Sequence, residues 1–308
     1  MTVVDSSPST GPAAIDAVPL RHPWRWVAAV VIVILLGLFL YGVATNPAYR
    51  WPIFFEYLFN ERILLGVSNT LQLTVYSMVL AIVLGVILSV MRLSPNPVFK
   101  SVSWVYLWIF RGTPIYVQLA FWGLIPTIYQ KIQLGVPFGP TFFELNLQAL
   151  SIPFLLATLG LALNEAAYMA EIIRAGINSV PEGQSEASTA LGMSWGLTMR
   201  RTVLPQAMRV IIPPTGNEVI SMLKTTSLVT AVPYAFDLYS IATREIAART
   251  FEPVPLLLVA SAWYLAITSI MMVGQYYLER YYSRGASRKL TSKQLEALAK
   301  AQMGEPHP

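Results

Sequence analysis

The sequence predicts an all-α polytopic membrane protein with about six transmembrane helices and both chain ends on the inner side. Three observations carry that prediction. Apolar residues make up 55% of the 308 and charged residues only 12%, where an ordinary globular domain has about a quarter charged. Apolar runs of about 18 or more residues recur, each long enough to cross a hydrocarbon core of roughly 30 Å. Basic residues gather at the ends of those runs, predominantly on one side, as membrane topology requires.

In chain order, residues 1–20 are rich in Ser, Pro, Ala and Thr without an apolar period, and read as a disordered tail. Arg21, His22 and Arg25 precede an apolar run from about Trp26 to Val43, which places a first span within residues 21–45. The run is long for a cleaved signal peptide and its small-residue exit is weak, which favours a retained span. A loop with Pro47, Pro52, Glu56 and Glu61 leads to a second span from about Leu64 to Met91. Pro95 and Pro97 tighten the turn before a third span, about Val102 to Tyr129, which contains Arg111-Gly112-Thr113-Pro114. Residues 130–150, with Gly135, Pro137, Gly139 and Pro140, read as a loop before a fourth span from about Ile152 to Ala175.

Pro213 and Pro214 open or kink a fifth span that extends to about Val232. Residues 234–252 suit a short amphipathic helix at the outer surface, and a sixth span runs from about Val254 to Glu279. A basic tail, residues 284–308, follows, in which Ser292 to Met303 suits a further amphipathic helix. With both ends inside, the outer segments hold Arg50, Arg62, Lys131, Arg244 and Arg249, and nearly all other basic residues fall inside. The positive-inside rule therefore puts the connection between the fourth and fifth spans in the cytoplasm.

That connection, residues 179–205, is polar and too long for a simple turn. Ser179 is placed to cap a first short helix, with Glu182 three residues on completing a capping box. Gly192 suits a left-handed stop. Ser194 is placed to cap a second helix, which Pro205 ends or redirects. Glu182 and Glu186 share one helical face. Such a bracket reads either as a docking surface or as a solvated amphipathic loop.

At these residues the chain resembles the permease subunits of ABC transporters. Glu186-Ala187, Gly192 and Leu204-Pro205 match the spacing of that family's cytoplasmic loop, with Ser188 where a second Ala is usual and Thr202 where Ile is usual. The segments Phe110–Leu119, Asn164–Ile177 and Ser221–Val229 resemble permeases for polar amino acids of the histidine/glutamine type. The resemblance covers about residues 60–283 and implies a five-helix core, to which residues 21–45 add one extra N-terminal span. It implies that Glu182, Glu186, Ala187, Gly192, Leu204 and Pro205 form a loop coupled to a separate ATP-binding cassette subunit. ATP and Mg²⁺ then belong to that subunit, and this chain binds no cofactor. A second permease subunit, identical or related, completes the path. An extracytoplasmic binding protein delivers a polar amino acid to the outer loops near residues 44–63, 130–150 and 234–252.

The inventory of reactive groups agrees with a non-enzymatic role in the lipid bilayer. There is no Cys, and the two histidines, His22 and His307, lie near the chain ends. No metal site, phosphate-binding loop or nucleophile–base pair is legible. The net charge of +5 is distributed as topology demands, so no nucleic acid is implied.

Ionisable residues inside spans are costly and suggest function. In the fourth span Asn164, Tyr168 and Glu171 form one stripe, Glu171 and Arg174 suit a helix-end ion pair, and Glu165 lies near mid-span. In the fifth, Lys224 falls roughly 20 Å along the helix from about Val210. Asn164, Glu165, Glu218 and Lys224 are the candidate substrate path. Lys224 and Glu165 either meet the two charges of an amino acid or neutralise each other. Arg111 is placed to bond carbonyls that Pro114 releases. The alternative is an ion-coupled secondary amino-acid transporter using Glu165 and Lys224, which leaves the folded loop unexplained and lacks the internal repeat common in that class. A third reading is a membrane scaffold whose loop recruits a different partner.

Overall fold

The computed structural model describes residues 23–136, 139–146 and 152–282. The tail at residues 1–20, the basic tail at 284–308 and the helix expected over Ser292 to Met303 lie outside the described residues. Contacts divide the chain into two units, residues 1–49 and 50–308. In the first, α1 (Pro23–Thr45) covers the expected first span and is followed by a 3₁₀ turn at Pro47–Tyr49.

The second unit opens with α2 (Trp51–Leu58) and the long α3 (Glu61–Leu93). Asn60 starts α3 by accepting the Arg62 amide at 2.9 Å, which satisfies one of the free donors at a helix start. Asn96 does the same for α4 (Pro97–Gly112), accepting from the Val98 amide at 2.9 Å. The expected continuous third span is two helices, since α4 ends at Gly112 and α5 (Ile115–Ile128) begins after Pro114. Thr113 is extended, at φ −119° and ψ 145°, the conformation favoured for a residue before proline, where the ring crowds the helical region.

The expected loop at 130–150 contains the one sheet among the described residues. Strands β1 (Lys131–Gly135) and β2 (Thr141–Asn146) pair antiparallel, with Lys131 opposite Asn146 and Gln133 opposite Glu144. Glu144 accepts from the Lys131 ammonium at 2.6 Å and from Gln133 at 3.0 Å. These bonds, Lys131's first, hold the exposed Glu144 carboxyl below the usual carboxylate range. The Gly and Pro residues mark the turn correctly; the flanking alternation is too short to have read as strands.

The centre of this unit is α6 (Pro153–Asn178). Its Ala157, Leu161, Ala162, Ala166, Ala167 and Ala170 are buried, and small residues there let α3, α4 and α5 approach closely. At Gly85 of α3 the two helices approach closely: a Cβ there would lie 2.6 Å from the Met169 Cβ. On the other side, α9 (Leu204–Thr225) packs Ala207, Ile211 and Met222 into the same core. A 3₁₀ segment, Thr226–Ala231, extends α9 towards the expected end near Val232.

A second core joins the start of α3 to the segment expected to be amphipathic. That segment folds as α10 (Leu238–Ser240), a π turn at Ile241–Ile246 and α11 (Ala247–Thr250). Its Leu238, Ile241 and Ile246 bury against Ile63 and against Leu256 and Val259 of α12 (Pro253–Tyr282). Ion pairs Arg50–Glu252 and Arg62–Glu245 fasten its rim. α1, α3, α6 and α12 are each long and apolar enough to cross a bilayer. The third and fifth expected spans fall outside that group, the third because it is broken and the fifth because it is polar and proline-bearing.

Candidate functional site

The loop after α6 folds as a bracket of two helices, though its caps differ from those the residues suggest. The Ser179 hydroxyl donates to the Gly176 carbonyl at 2.7 Å and closes the end of α6. Ser179 is thus the C-cap of α6, at φ −75° and ψ −15°, and the cap position of α7 (Glu182–Ala190) falls to Pro181, which offers no side-chain cap. The expected capping box of Ser179 and Glu182 does not form. Glu182 instead stands in the first turn of α7, where a carboxylate opposes the positive helix end.

Gly192 behaves as expected. Its φ of +77° lies in the left-handed region that glycine adopts without cost. The Gly192 amide donates to the Thr189 carbonyl at 2.9 Å and the Met193 amide to the Ser188 carbonyl at 3.1 Å. These two bonds make a Schellman end to α7.

The chain then turns into α8 (Trp195–Thr198), with Ser194 at the cap position but making no side-chain cap bond. Pro205 neither ends nor redirects this second helix. A π turn at Met199–Val203, closed by the Leu204 amide on the Met199 carbonyl, carries α8 directly into α9. The wider turn makes room for the proline ring, which would otherwise strike the carbonyl of the preceding turn.

Glu182, Glu186 and Ala187 are exposed on α7, and Leu204 and Pro205 are exposed at the start of α9. Two residues that the charge pattern had hidden stand beside them: Leu191 is 83% exposed and Trp195 75%. Apolar side chains at the tip of a polar loop were the available signal. Large exposed apolar groups ringed by polar ones mark contact surfaces.

Within the spans, the candidate path residues divide into three places. Asn164 donates to the Phe110 carbonyl and to Gln118 Oε1, each at 3.0 Å. Gln118 also donates to Phe110 O at 3.0 Å and to Thr113 Oγ1 at 2.6 Å. Phe110 is four residues before Pro114, so this is the carbonyl the proline releases, and Asn164 and Gln118 satisfy it. Arg111, expected in that role, lies over the Tyr168 ring at 5.5 Å instead.

Glu165 and Glu218 lie on the facing sides of the α6–α9 contact, with their carboxyls within electrostatic reach of each other. Glu165 is buried, its Oε1 has no hydrogen-bond partner, and neither carboxyl is in an ion pair among the described residues. The proposed Glu165–Lys224 pair does not form. Glu218 and Lys224 are six residues apart, which turns them about 120° from each other around α9. Lys224 lines a separate pocket of about 230 Å³ with Ser227, Tyr239, Ser261 and Tyr264. The Glu171–Arg174 ion pair forms as expected, at 2.7 Å.

The two prolines of the fifth span leave α9 unbroken. Gln275 of α12 donates to the Pro213 carbonyl at 2.8 Å, and Gly216 leaves the space it occupies, since a Cβ there would lie 1.9 Å from Gln275 Oε1. Beside α9 is a cleft of about 800 Å³ whose lining, including Val86, Ile173, Met199, Leu204 and Met208, holds no charged residue.

Residues 78–284 match the family described as binding-protein-dependent transport system inner membrane component. The chain belongs to this family. It is thus a multi-pass permease component of an ABC transport system, and the reading as an ion-coupled secondary transporter is corrected. The arginine transport system permease protein ArgU of Corynebacterium glutamicum is 61% identical over 292 residues, 94% of this chain and 90% of that protein. The histidine/lysine/arginine/ornithine transport system permease protein HisM of Escherichia coli K12 is 38% identical over 67% of this chain and 83% of its own. A crystal structure of an amino acid ABC transporter with histidines aligns with a TM-score of 0.59 and 31% identity, over 71% of this permease and 94% of that chain. An inward-facing MetNI methionine ABC transporter shares the fold, at 17% identity and a TM-score of 0.57.

Proposed function

We propose that this permease forms the membrane path of an ATP-driven importer for cationic amino acids, of which arginine is the first to test. The observation that carries the substrate class is the Glu165–Glu218 pair. Two carboxyl groups facing each other in a low-dielectric interior repel one another when ionised and favour a cation between or beside them. The names of its relatives, permeases for arginine and for histidine, lysine, arginine and ornithine, support the same class.

In this reading α7 docks on an ATP-hydrolysing subunit through Glu182, Glu186, Ala187 and the apolar tip at Leu191 and Trp195. ATP and Mg²⁺ act there. Gly192 shapes the bracket, and Leu204 and Pro205 seat it on α9, so that motion of α7 reaches Glu218 along one helix. A second permease subunit completes the path, and a binding protein delivers substrate on the opposite face, at α2, the hairpin and α10–α11. The distribution of basic residues supports placing α7 in the cytoplasm.

The test is ATP-dependent uptake of labelled arginine by the reconstituted complex. Lysine and ornithine are expected to compete and glutamine not to. Glu165→Gln with Glu218→Gln is expected to cut arginine uptake by about tenfold or more, each tenfold being about 1.4 kcal/mol. Unchanged arginine uptake by that double variant would remove the pair from the path.

A further inference from the structure

The two positions at which the loop departs from its family's pattern, Ser188 and Thr202, touch each other. Ser188 Oγ and Thr202 Oγ1 lie 2.9 Å apart, joining α7 to the π turn. Ser188 is 5% exposed, so water does not readily replace this bond. The direction of donation follows from counting protons. The Ser188 hydroxyl has one proton, and it donates to the Gln184 carbonyl at 2.8 Å. The bond between the hydroxyls is then donated by Thr202, and the two form a relay from the π turn through Ser188 into the backbone of α7. Gln206 extends it, donating to the Thr202 carbonyl at 2.9 Å and lying 3.4 Å from Gln184 Oε1.

We propose that this relay is a coupling latch, with Thr202 and Ser188 as positioning residues that fix α7 against the root of α9. The inference rests on α7 being the ATPase-docking helix. Without the relay, α7 keeps its helix and its Schellman end but is free to slide over the π turn. Motion imposed on α7 is then absorbed there before it reaches Glu218. A weakened fold would lower the yield of complex; a weakened latch lowers the substrate moved per ATP.

The experiment compares Thr202→Val, Thr202→Ser, Ser188→Ala and the double Ser188→Ala/Thr202→Val in reconstituted complexes containing the ATPase and the binding protein. It measures ATPase stoichiometry, then arginine uptake per ATP hydrolysed. We expect the ATPase to be retained in all. T202V should cut the uptake ratio roughly three- to tenfold, the range set by losing one neutral hydrogen bond. T202S should keep the wild-type ratio, and the double variant should lose no more than the worse single, the signature of one shared interaction. Wild-type coupling in T202V, or losses that multiply in the double variant, overturns the latch. The T202V and T202S comparison stands even if S188A folds poorly. Failure of the wild-type chain to retain any ATPase overturns the docking reading itself, which separates the two failures.

Discussion

At the scale of single residues, the polar groups inside this permease fall into two kinds, those that satisfy the backbone and those that do not. Asn164 and Gln118 belong to the first, because both donate to the carbonyl released by Pro114. Gln118→Leu removes donors to Phe110 and Thr113 while keeping an apolar body in place. It should destabilise the detergent-solubilised protein by about 1–3 kcal/mol, the cost of a buried acceptor left short of partners, and lower its melting temperature without changing which amino acids compete for uptake. A changed preference would return this cluster to the substrate path. Glu165, with a buried oxygen lacking a partner, belongs to the second kind. The sequence showed that Asn164 and Glu165 were both within a span. It did not show which of two adjacent polar residues would face the helix break and which would face α9, since that depends on the rotation of α6 against four neighbours.

At the scale of elements, close helix contact sets the tolerance to substitution. Gly85→Ala places a methyl group 2.6 Å from the Met169 Cβ, a main-chain-anchored atom that cannot swing aside. The α3–α6 pair then has to separate, at a cost of about 1–3 kcal/mol for overpacking, read as a lower melting temperature. An unchanged value would mean that α3 and α6 are not held at this distance. Element existence was legible because the apolar runs are long: α3, α6 and α12 lie within a few residues of where hydropathy puts them. Proline was harder to interpret. Pro114 breaks a span, whereas Pro205, Pro213 and Pro214 do not. At Pro205 the difference is the π turn that precedes it, a non-standard feature without a local signature.

At the scale of the whole molecule, α9 carries Glu218 and continues from the loop bracket, and α12 joins α9 to α2 and to the Ile241–Ile246 turn. The bracket was readable from sequence because its Glu, Gly and Pro residues keep fixed spacing. Inside the spans Glu165 and Glu218 were both legible as candidates, but their pairing was not, since charge complementarity joins Glu165 to Lys224, which lines a separate pocket. The large apolar cleft beside α9 offers no charged side chain to a polar amino acid. The central claim is that exposed α7 receives an ATPase, so that energy enters this chain through the bracket. The most direct test is purification of the tagged chain from native membranes in mild detergent, comparing wild type with Glu186→Lys and identifying every stoichiometric partner. We predict an ATP-binding subunit with the wild type and its loss from Glu186→Lys at unchanged melting temperature. Recovery of the wild-type chain without such a subunit, under conditions that keep other membrane complexes whole, would contradict the account.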